Sequence, residues 1–184
     1  MKKHLLVAGI VMAVGTQGVG AQTGGSFANA LIGQWCGGTE NVVFSPYSLS
    51  AALAMTAAGG RGATAVQVAD ALGLPHVPEV LAAAFGALDQ SLAEARDKSP
   101  GLALSIANAL YPQRGYAIRP GFLELIRNSF GGEAMPLDYA ADPEAARCAI
   151  NRWVEEQTAA RIKDLFVPGV LTRATRMTLV NAIY

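Results

Sequence analysis

Four kinds of side chain in this sequence could do chemistry: histidine, serine grouped with asparagine, paired carboxylate and cysteine. Beyond His4 the chain carries a single histidine, His76, between Pro75 and Val77. A histidine can activate a serine nucleophile, but no Gly-x-Ser-x-Gly elbow accompanies this one. Ser45, followed by Pro46, has the pattern of a helix cap with proline at the first helical position. No HExxH pair, CxxC motif or acidic calcium loop is present. Gly59-Gly60-Arg61-Gly62 lacks the Lys-Ser/Thr of a phosphate-binding loop and reads as a helix terminator. Glu155-Glu156 reads as a solvated helix face. These residues predict no enzyme, no metal site and no cofactor.

Two positions still ask for an explanation. In the last apolar segment, Asn181 shares one side of a strand with Met177, Leu179 and Ile183. An amide among apolar neighbours costs about 2–7 kcal/mol unless it is hydrogen-bonded, so backbone, water or another side chain must serve it. The two cysteines, Cys36 and Cys148, could close a long loop, stabilising the fold by roughly 4–5 kcal/mol. With a single pair and no small-domain cysteine framework, two separately buried thiols are expected instead.

The elements that must position these groups follow from punctuation and period. A first helix is expected from Ser26 to Cys36, ended by Gly37-Gly38, and a short buried strand over Val42-Val43-Phe44. Ser45-Pro46 opens a helix over Tyr47–Ala58 that is apolar almost all round and therefore central. Thr64-Ala-Val-Gln67 has capping-box spacing and starts a helix ending at Leu72-Gly73. After Pro78, Leu81, Phe85, Leu88 and Leu92 give a longer amphipathic helix. A strand over Leu102–Tyr111 follows, with Leu102, Leu104, Ile106, Asn108 and Leu110 on one face. Pro120–Phe130 is helical, Ala134–Tyr139 is an edge strand containing Pro136, and Asp142-Pro143 caps another helix. Ala146, Ile150, Trp153, Val154 and Gln157 mark one flank of that helix, and Met177–Tyr184 is a final strand. Helices cluster first and strands follow at intervals, an α+β arrangement.

Composition sets the address. Lys2 and Lys3, the apolar run Leu5–Val14 and the small residues Val19-Gly20-Ala21 predict a secretory signal over 1–21 with Gln22 as the new N-terminus. A basic start followed by a compact apolar run has a bacterial style. The run is shorter than the about 20 apolar residues a spanning helix needs. Without the two lysines, the balance of 14 basic and 14 acidic residues becomes slightly acidic, at −2. That excludes a basic nucleic-acid footprint and a polybasic membrane patch. Localisation outside the cytoplasm, extracellular or periplasmic, is the expectation.

Four segments in order resemble the serpins, the serine protease inhibitor family. Asn41-Val-Val-Phe-Ser-Pro-Tyr-Ser-Leu-Ser-Ala-Ala-Leu-Ala-Met55, with Gly60-Arg-Gly-Ala-Thr64 and Gln67, is similar to the early strand-and-helix signature. Ser105-Ile-Ala-Asn-Ala-Leu-Tyr111 resembles a family strand, and Ile150-Asn-Arg-Trp-Val154 with Thr158, Ile162 and Leu165 the helix crossing the main sheet. Thr175–Tyr184 resembles the central strand. One departure lies between Thr158 and Ile162 of the crossing-helix motif, where the family usually has Gly-Lys and this chain has Ala160-Arg161 after Ala159.

The resemblance implies a serpin-like α+β fold, a helical N-terminal cluster on a partial mixed or antiparallel main sheet. Residues 22–184 would be its N-terminal part, stopping in mid-strand. Serpins run to about twice this mature length, within the upper range for one domain, so the reactive loop and its scissile bond are expected outside the chain. It further implies that Ser45, Ser48 and Asn181 form a shutter-like structural site, whose further partner, a histidine on a later strand, is missing. The complete protein would take a serine or cysteine protease as partner and inhibit it suicidally, by inserting a cleaved loop as a new strand. The alternative is a non-inhibitory remnant or binding module. The fragment alone, with a strand edge exposed, is expected to misfold or self-associate.

Overall fold

The computed structural model describes residues 27–34, 44–74 and 76–184. The expected signal, Cys36 and most of the expected strand at Val42–Val43 lie outside those residues. The chain divides into two compact units, Met1–Ser99 and Pro100–Tyr184.

In the first unit, a helix at 27–34 (α1) falls inside the predicted Ser26–Cys36. Phe44 precedes the next helix without strand conformation. Helix α2, Pro46–Gly59, starts where Ser45 Oγ accepts from the Ser48 N–H at 3.2 Å. Its small, apolar composition buries Ser50, Ala51, Ala54, Met55 and Ala57, and the alanines let helices approach closely. Helix α3, Ala63–Leu72, corrects the expected capping box. Its N-cap is Gly62, at φ 58°, and no side chain caps it. Glycine alone takes that backbone state without penalty, so the turn starts ahead of Thr64. Its end is as expected: Gly73 adopts φ 63° and Leu74 N–H reaches Ala69 O at 2.9 Å. Helix α4, Pro78–Asp97, buries Leu81, Ala82 and Phe85. Leu88, assigned to the same stripe, is 43% exposed.

The second unit is built on a three-stranded sheet of order β2-β1-β3. Strands β1 (Ile106–Pro112) and β3 (Met177–Ile183) are antiparallel, in register from Ile106↔Ile183 to Pro112↔Met177. The ladder continues through Ser105 and Tyr184, which exchange backbone bonds of 3.0 and 3.1 Å. Leu102 and Leu104 lie before the strand, because β1 is ordered where β3 gives its N–H and C=O groups partners. Between β1 and β2 lies helix α5, Pro120–Phe130, with the predicted bounds, closed by Gly131 at φ 56°.

The edge strand expected over Ala134–Tyr139 shrinks to β2, Glu133–Ala134, parallel to β1, with one further bridge at Gln113↔Leu137. Pro136 offers no N–H to a ladder, and Tyr139 turns inward instead, fully buried. The Tyr139 hydroxyl donates to Tyr111 O at 2.8 Å and lies 3.1 Å from Thr178 Oγ1.

Helix α6, Pro143–Gln157, is capped as expected by Asp142, whose Oδ1 accepts from Ala145 N–H at 2.9 Å. Ala146, Ile150 and Val154 are buried with Ala109, Tyr111, Tyr139, Val180 and Ala182 in one cluster. Each fully buried Ile or Val stabilises by about 1.5–3 kcal/mol. Trp153 meets Tyr111 edge-on, with ring centroids 6.0 Å apart, while Gln157 is exposed.

Candidate functional site

Period two assigns Thr178, Val180 and Ala182 to the face of β3 in the core cluster, and these are its buried residues. Asn181, with Leu179 and Ile183, lies on the opposite, half-buried face. The strand alternation is therefore as expected, but Asn181 sits on its less buried side. Its register partner is Asn108, which is buried. Asn181 Nδ2 donates to Asn108 Oδ1 at 2.7 Å, and Asn108 Nδ2 donates to Phe130 O at 2.7 Å. Two amides thus run as a chain from β3 through β1 to the end of α5.

Gly132 allows that chain to close. A Cβ there would stand 2.7 Å from Ile126 Cγ2 and 3.4 Å from Asn108 Cβ. The second residue after α5 is thus required to be glycine for the helix end to rest on Asn108. One lone pair set is left over: Asn181 Oδ1 is buried and has no partner among the described residues. It can accept a hydrogen bond and nothing more.

The serines stand in the other unit. Ser45 is buried and committed to its cap. The Ser48 hydroxyl is also buried and has no partner among the described residues. Ser45 and Ser48 thus belong to the first compact unit and Asn181 to the second. Asn108 is the partner of Asn181 that sequence reasoning did not assign to the site. Its signal was available, since the expected strand put it at the centre of an otherwise apolar face.

A second polar pair in the first unit was not foreseen. The Tyr47 hydroxyl donates to Asp89 Oδ1 from α2 to α4, beside Phe85, 6.3 Å away from Tyr47 between centroids. Burial pushes the Tyr47 phenol up, reinforced by the Asp89 carboxylate. Burial also raises the Asp89 carboxyl, against the opposing pull of the Tyr47 hydrogen bond.

His76 is exposed, with Nε2 2.6 Å from Asp70 Oδ1, a surface pair of little energetic weight. Cys148 corrects the expectation of buried thiols. It is a free, exposed cysteine, because it lies about 200° around α6 from both Ala146 and Ile150. Among the described residues, no group of three or more His, Cys, Asp or Glu could hold a metal ion. No described helix is long and apolar enough to cross a membrane.

Comparison with known proteins gives this architecture its lineage. Residues 22–184 match the family described as serpin (serine protease inhibitor). A serpin-like protein of Thermococcus kodakarensis is 40% identical over 159 residues, covering 86% of this chain and 36% of that protein. Leukocyte elastase inhibitor A of Rattus norvegicus is 37% identical over 146 residues, covering 79% of this chain and 38% of the relative. Among solved structures, a cleaved serpin superposes with a TM-score of 0.71 at 38% identity, covering 85% of this chain and 40% of the other. Emu ovalbumin superposes at 0.80 with 25% identity, over 90% and 46%. The chain therefore spans less than half the length of the relatives it matches, and with a family match over residues 22–184 it belongs to the serpin family.

Proposed function

We propose that the complete protein is a secreted protease inhibitor that traps a serine or cysteine protease by loop insertion. The observation that carries this reading is the 36–38% identity to leukocyte elastase inhibitors of several mammals. The sheet geometry supports it. β3 forms one edge of the sheet, and its outer N–H and C=O groups offer a template along which an extended segment can add as a strand. In this reading the reactive bond lies beyond the residues in hand, and Ser45, Ser48 and Asn181 serve structure rather than catalysis. The basic start and apolar run of residues 1–21 support export to the periplasm or the extracellular space. No nucleic-acid or membrane partner is proposed for the mature protein.

The test is a chain extended to the length of its relatives, incubated with a panel of serine and cysteine proteases. Time-dependent, stoichiometric loss of one protease's activity is expected. An extended chain that is stable, and is merely cleaved or ignored by every protease, would favour a non-inhibitory family member.

A further inference from the structure

Residues 158–176 carry neither helix nor strand, yet part of that stretch is built in. Ile162, Leu165, Phe166 and Leu171 pack half-buried against the cluster of α6 and the sheet. The backbone there is strained. Ala159, Ala160 and Asp164 all take positive φ, at 46°, 58° and 51°, where a Cβ crowds the following carbonyl oxygen. Non-glycine residues persist in that region only when their surroundings over-determine them.

Helix α6 supplies the restraint. Asn151, itself buried, spends its whole amide on one residue: Nδ2 donates to Phe166 O and Oδ1 accepts from Phe166 N–H, each at 2.9 Å. Arg147 Nη1 adds a 2.8 Å bond to the same carbonyl. At the near end, Thr158 Oγ1 donates to Val154 O at 2.7 Å and accepts from Ile162 N–H at 3.1 Å. Ala160 N–H reaches Glu155 O at 2.8 Å. Among the described residues, the hydrogen bonds that tie down residues 159–171 run to α6, to its cap Thr158 or within the stretch itself, and the polar tie to the sheet, Gln113 N–H to Arg176 O at 2.8 Å, lies beyond it.

We propose that residues 159–171 form a strained strap that lifts from the sheet while α6 stays in place, with Asn151 as its latch. Lifting releases three left-handed residues and breaks no strand ladder. The cluster it leaves contains Tyr111, whose buried hydroxyl has no partner among the described residues, so entering water offers that group a hydrogen bond. The opening stands independently of the inhibitor reading, because it rests only on the chain's own backbone and clamp.

Amide hydrogen exchange on the chain extended to the length of its relatives tests this, read at Ala160, Arg161, Ile162, Phe166 and Val170. These amides should exchange faster than those in the middle of α6 and β3, through a local opening. Ala160→Gly, which removes the left-handed penalty, should slow strap exchange roughly tenfold and leave α6 unchanged. Asn151→Ala should speed it by a similar factor. Strap and α6 exchanging together in the unmodified chain would overturn the proposal. So would an Ala160→Gly chain whose strap exchanges as before; that variant decides the matter even if Asn151→Ala fails to fold.

Discussion

At the scale of single residues, buried polar atoms set the sensitivities of this chain. The Asp89 carboxyl is raised by burial, so its contribution to stability is fully present below the ordinary carboxylate range and is lost as pH rises through the raised value. Asp89→Asn keeps an acceptor for Tyr47 and cannot ionise. Thermal melts from about pH 4 to 7 should therefore show the variant gaining on the wild type as pH rises; parallel curves would contradict this. Asp138 has the opposite sign, since the Gln113 amide and the Ala141 N–H hold its carboxyl below the usual range. Its contribution is present above that range and fades as pH falls through the lowered value. Tyr111→Phe removes an unpartnered buried hydroxyl and keeps the Trp153 contact. Chemical denaturation should show it unchanged or more stable by about 1 kcal/mol, whereas a loss of that size would mean the hydroxyl has a partner.

At the scale of elements, the most exacting position is the turn after α5. Gly132→Ala puts a methyl group against Ile126 Cγ2 and should cost about 1–3 kcal/mol by overpacking, measured by denaturant midpoint. Broadened exchange of the Asn108 side-chain amide should accompany it, because the helix end would lift from that residue. Elements whose ends rest on local chemistry were legible in the sequence: Ser45-Pro46, Asp142-Pro143 and Phe130-Gly131 each fixed a boundary by a cap or a left-handed glycine. Elements that depend on a partner were less so. β1 begins only where β3 pairs with it, and Pro136 cut the edge strand to two residues. Thr64 misled because Gly62 offered the backbone an earlier start. For the site, Asn181 could be singled out by polarity alone. Its pairing with Asn108 needed the register, which depends on two strands 73 residues apart.

At the scale of the whole molecule, the family is established over residues 22–184, and among the described residues β3 lies at one edge of the sheet. A seven-residue strand with an open edge is a template for pairing with another chain. Residues 22–184 expressed alone should therefore form oligomers in sedimentation velocity, and a cooperatively unfolding monomer would refute that. The most direct test of the inhibitor account is covalency. Extended to the length of its relatives and mixed with the protease it inhibits, the protein should give a denaturant-resistant band combining both partners. Its appearance should need the protease's active nucleophile. Inhibition without such a band, reversed on dilution, would contradict the loop-insertion mechanism.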